Sequence, residues 1–81
     1  MNKDNKQLLY NIDKAIKRCR EIENNKFPYA VTINIETNNE LGIGAFTYLS
    51  KQGFKSIPIL NNKTIKKNNF KLVYTEEELI N

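Results

Sequence analysis

The 81-residue sequence contains no histidine, no tryptophan and a single cysteine, Cys19. Without histidine it lacks the commonest protein metal ligand and the side chain best matched to proton transfer near neutral pH. One cysteine excludes an internal disulfide and fits a reducing compartment. Apolar residues make up 40% of the chain, enough to fold. Yet no apolar run approaches the roughly 20 residues that a membrane span requires. The first residues also lack the hydrophobic stretch of a signal peptide. These absences predict one cytoplasmic domain over residues 1–81, with no membrane-embedded part and only modest stability.

Catalysis has little to work with. Acid–base chemistry would fall to carboxylates, lysines or tyrosines. Glu36 and Glu40 are four apart across an expected turn, a spacing without a particular signal. No zinc, phosphate-loop, triad or calcium-loop pattern is present. The sequence therefore reads as non-enzymatic, with no cofactor and no metal site.

What is present is patterned. Leu8, Leu9, Ile12, Ala15, Ile16, Cys19 and Ile22 form one stripe at three- and four-residue spacing, which predicts a helix from Asn5 to about Asn24. Asp4 or Asn5 is a candidate cap. Lys14, Lys17, Arg18 and Arg20 cluster late, where they complement the helix dipole. They read as a solvated face or as one side of a groove tracking phosphates. Cys19 falls on the apolar stripe and reads as a packed thiol. Asn24-Asn25-Lys26 ends the helix and Pro28 prevents its return. Tyr29, Val31, Ile33 and Ile35 alternate with polar or small residues as a strand. Glu36 to Asn39 reads as a polar turn.

A second helix is expected from Glu40 to Gln52, capped by Asn38 or Asn39. Its apolar face would hold Leu41, Ala45, Phe46 and Leu49, and its open face Thr47, Tyr48, Ser50, Lys51 and Gln52. Gly53 should end it with a left-handed backbone, letting Phe54 fold back onto the helix. Gly42 and Gly44 read either as close packing or as backbone approaching a phosphate. Packing is preferred because Gly-Ile-Gly lacks the later glycine of a dinucleotide fingerprint. A hairpin should follow, with strands Lys55–Leu60 and Phe70–Thr75 around a loop flanked by paired asparagines. Ile57 and Ile59 share one side of its first strand, and Pro58 suggests a free edge there. Ile65, the one apolar loop residue, either anchors the loop or protrudes. Thr75 with Glu78 fits a capping box for a final helical turn.

The fold class is thus α+β with order α-β-α-β-β, winged-helix-like, plus a short C-terminal helical turn. Charge is segregated within the overall +4. Residues 55–75 carry five lysines and no acid, whereas the last six residues carry three glutamates and no base. Abundant Lys, Asn and Ile also suit a compositionally biased genome, which would make part of this charge incidental. If the charge is functional, local clustering of this kind suits a phosphate backbone. In a winged-helix arrangement Lys51, Lys55, Lys63, Lys66, Lys67 and Lys71 would converge, with Tyr48 placed to stack on an unpaired base. The second helix has few donors suited to base edges, Gln52 being its one amide, which favours backbone contact over sequence reading.

From Leu41 to Tyr74 the chain resembles a small family of phages and mobile cassettes of low-GC Gram-positive bacteria. The resemblance rests on Leu41-Gly42, on Phe46 with Gly53 seven residues later, on Ile57 and Ile59, and on a closing aromatic, Phe70 or Tyr74. It implies a winged-helix-like fold. It also implies single-stranded DNA as a candidate partner, since some members encoded beside replicative helicases bind it. No binding residue carries over by motif. The rival expectation is a small protein-binding module, an inhibitor or a replication accessory factor acting on a protein partner such as a replication enzyme.

Overall fold

A computed structural model describes residues 3–22, 27–54 and 56–79. The chain forms helix α1 (Lys3–Ile22), strand β1 (Ala30–Ile33), helices α2 (Ile35–Leu41) and α3 (Ile43–Lys51), strands β2 (Ile59–Asn61) and β3 (Phe70–Val73), and a 3-10 turn (Glu76–Leu79). It is therefore a mixed α+β domain. No helix among the described residues is long and apolar enough to cross a membrane.

The stripe of α1 does what its periodicity predicts. Leu8, Leu9, Ile12 and Ile16 are buried, and Ala15 and Cys19 are half-buried. The helix has begun by Lys3, so Asp4 and Asn5 lie inside it rather than capping it. The expected stop at Asn24-Asn25-Lys26 lies outside the described residues. Cys19 meets the Tyr74 hydroxyl at 2.8 Å, a thiol packed against the end of β3.

Four differences separate the expected and observed elements. First, β1 stops at Ile33. Asn34 leaves the strand, and its side chain accepts from the Glu36 N–H at 2.8 Å, capping α2. The polar stretch expected as a turn is thus a helix, because Thr37 and Leu41 at four-residue spacing are both buried. Second, α2 and α3 are broken at Gly42, whose backbone (φ 53°, ψ −135°) L-residues avoid. A Cβ there would meet nothing within 4 Å, so the glycine serves conformation and not close packing. Third, Phe46 is exposed while Tyr48 packs against the core. At about 100° per residue, Ala45, Tyr48 and Leu49 share the inward face of α3 and Phe46 lies off it.

The fourth difference is topological. The sheet order is β2-β1-β3. β1 pairs with β2 in parallel and with β3 antiparallel, so β2 and β3 do not form a hairpin. Every residue of β1 is buried, as suits a central strand paired on both edges. The extra helix makes the observed order α-β-α-α-β-β and not the expected α-β-α-β-β. The wing hairpin itself is absent, because the loop after β2 crosses the end of β1 to reach the other edge.

The core joins α1, α2 and α3 to one face of the sheet, carried by Val31 and Ile33, with Ile59, Phe70 and Leu72 packed against it. Ile57 and Ile59 do share the inward side. Gly53 ends α3 as expected, with φ 89°. The Phe54 N–H reaches the Leu49 carbonyl at 2.8 Å and the Gly53 N–H reaches that of Ser50 at 3.1 Å. This is the Schellman pattern, completed by a buried Phe54. A helical turn follows Thr75 as predicted, in 3-10 form. The side chain of Glu78, needed for the capping box, lies outside the described residues.

Candidate nucleic-acid interface

The loop from Asn62 to Asn69 is a bridge pinned along its length. The Asn62 N–H donates to the Ile33 carbonyl at 2.9 Å, continuing the β1 ladder. The Asn62 side chain accepts from the Thr64 N–H at 2.9 Å and from its hydroxyl at 2.7 Å. Asn34, the cap of α2, donates its side-chain amide to the Ile65 carbonyl at 2.9 Å. The Asn68 N–H donates to the buried Thr37 hydroxyl at 3.2 Å. Asn68 also takes the positive φ, 67°, expected of these asparagines. Ile65 is half-buried and so serves as an anchor.

This frame leaves the loop lysines pointing to solvent. Lys63, Lys66 and Lys71 are exposed and have no ion-pair partner among the described residues. Lys71 stands opposite Thr32 in the ladder, on the sheet face away from the helices. Lys67 differs. Its ammonium lies 2.7 Å from Glu40 at the end of α2. The hydrogen bond it donates to Glu40 and that carboxylate's charge, with smaller help from Glu36 and Asp4, hold Lys67 above the usual lysine range. The loop's charge is thus partly compensated by acids that are distant in sequence. The C-terminal glutamates do not do this, since they follow the opposite end of β3.

The expected convergence is divided. Lys51 ends α3, next to Gln52, whose side chain accepts from Lys17 at 3.3 Å. Lys17 also bridges the buried Asp13 at 3.2 Å. Together with Lys14 and Arg18 it lines a shallow hollow of about 630 Å³ on the later half of α1. Lys67 senses Asp4 in the first turn of α1, whereas Gln52 meets Lys17, about 20 Å further along the helix by its rise of ~1.5 Å per residue. The end of α3 that carries Lys51 therefore lies beside the later half of α1, away from the first turn that Lys67 senses. Tyr48 is half-buried and packs against the core, whereas the sequence placed it on the open face of the helix. Lys55 lies outside the described residues.

Sequence reasoning missed a second surface. Ile43 is 80% exposed and Phe46 57% exposed on α3. Beside them runs an apolar groove of about 460 Å³, walled by Ala45, Phe46 and Leu49 and floored by Ile57, Pro58 and Ile59. The signal available was the angular spacing itself, which puts Phe46 off the face shared by Ala45 and Leu49. Compared with known protein families, curated proteins and solved structures, the chain matches none.

Proposed function

We propose that this protein binds nucleic acid through phosphate contacts from the bridge loop, without reading base sequence and without catalysing a reaction. One observation carries the reading: Lys63 and Lys66 are exposed on a loop whose backbone is held by side chains of other elements, and Lys71 is exposed on the adjoining strand β3. That backbone needs little further ordering to present them to a chain of negative charge, which favours binding. Single-stranded DNA is the favoured ligand, and a cytoplasmic replication accessory role in a phage or mobile element is the setting that fits it. The winged-helix likeness supports this through element order alone, since the wing hairpin is replaced by the bridge. Base stacking by Tyr48 is not part of the proposal.

Electrophoretic shifts with single-stranded and duplex oligonucleotides, repeated across salt concentrations, test it. Affinity should fall steeply with salt and be indifferent to base sequence. Salt-insensitive or absent binding would overturn it. A protein-binding role is the second reading, favoured by the exposed Ile43 and Phe46 beside their groove.

A further inference from the structure

The groove borders the open edge of the sheet, and the backbone of that edge indicates what covers it. Residues 58, 60 and 62 of the β2 segment turn their backbone groups towards β1, as the Val31 N–H to Pro58 carbonyl and Asn62 N–H to Ile33 carbonyl bonds fix, both at 2.9 Å. Strand alternation then points the N–H and C=O of Ile59 and Asn61 away from β1. No backbone group among the described residues pairs with them. The missing donor of Pro58 faces β1, so the proline does not blunt the open edge. Ile59-Leu60-Asn61 also carries none of the charges that usually guard such edges. The opposite edge strand, β3, carries Lys71 and has the 3-10 turn beside it.

We infer that this edge is a homodimer interface, formed by antiparallel pairing of β2 with β2 of a second copy. The outward groups are self-complementary about a two-fold axis through Leu60. Ile59 of one copy exchanges both its hydrogen bonds with Asn61 of the other, and Asn61 does so with Ile59, giving four bonds. Leu60, half-buried in one copy, meets its equivalent as the close non-hydrogen-bonded pair on the helix-free face. On the helical face the two grooves come side by side, and Phe46 and Ile43 lose water there. Among the described residues no charged side chain lines the groove, which limits repulsion there between two chains of like net charge. A seam of three residues is too small for a stable interface by itself. The apolar contribution of Phe46 is therefore required, and this makes the assignment breakable at two independent points.

The test is solution mass over a concentration series, measured on the full chain without nucleic acid. The mass should rise from 9.5 kDa towards twice that value. Amide exchange at Ile59 and Asn61 should slow over the same range. Asn61→Pro removes an outward donor while sparing the groups that face β1, and Phe46→Asp charges the seam at an exposed site. Each should remain at 9.5 kDa with an unchanged far-ultraviolet circular dichroism spectrum. If Asn61→Pro fails to fold, Phe46→Asp alone decides. A wild-type mass of 9.5 kDa at every concentration overturns the inference, as does a dimer that survives Phe46→Asp.

Discussion

The two chain reversals on either side of β2 are held by different physics. The first, from Gly53 to Ile57, turns α3 back towards the sheet. It closes with backbone bonds and buries Phe54 and Ile57. The second, from Asn62 to Asn69, carries the chain across the end of β1. It is fastened by Asn34, Thr37 and Asn62 side chains bonded to its backbone and buries almost nothing. The first reversal is part of the core through Phe54 and Ile57. The second keeps its shape without using its lysines, apart from Lys67, so their charge is available to a ligand.

Substitutions should separate the two regions by size of effect. Phe54→Ala removes a buried ring from the first reversal and should cost about 3–5 kcal/mol. Chemical denaturation would read this, and a change near zero would mean that the ring does not serve the core. Gly53→Val follows, at about 1–3 kcal/mol, because a branched L-residue must hold a positive φ with no neighbour to relieve it. In the second reversal Asn34→Ala should cost only about 1 kcal/mol as a lost helix cap. Its sharper effect is local: amide exchange near Ile65 and Asn68 should quicken while α1 keeps its protection. Uniform loosening would show that the loop is fastened by something other than Asn34.

The smallest effect on stability is expected for Glu40→Gln. The pair with Lys67 is a surface one, and such pairs contribute little. The variant should instead free Lys67 for a ligand, steepening the salt dependence of single-strand binding by about 0.7 in logarithmic slope. An unchanged slope would place Lys67 away from the phosphate path.

The sequence made the first reversal legible and the second only in part. Gly53 and Phe54 announce a helix end because one supplies the backbone angle and the other the apolar fold-back, both local effects. The α1 stripe was equally plain. In sequence the bridge reads as a hairpin, because two short strands around a polar loop satisfy the same local rules. Its true course depends on β1 pairing along both edges, and on Asn34 and Thr37 meeting residues some 31 positions away. The helical nature of α2 was hidden by its polarity, although Asn34 as cap and Thr37 with Leu41 at four-residue spacing were there to read. Phe46 is apolar enough to read as inward, yet at about 100° per residue it is Tyr48 that falls beside Ala45 and Leu49. The loop lysines were legible as a charge cluster. Their division from Lys51, and the pairing of Lys67 with Glu40, follow from tertiary placement alone.

The central claim is that the bridge loop and the adjoining β3 meet phosphates through lysines the fold does not need. The most direct test replaces Lys63, Lys66 and Lys71 together with glutamine and measures single-stranded DNA affinity against salt. The account predicts an unchanged melting temperature, weaker binding at low salt and a logarithmic salt slope lower by about 2, from about 0.7 per lost contact. The loss should be equal for different base sequences. Wild-type affinity and slope in the triple variant would contradict it.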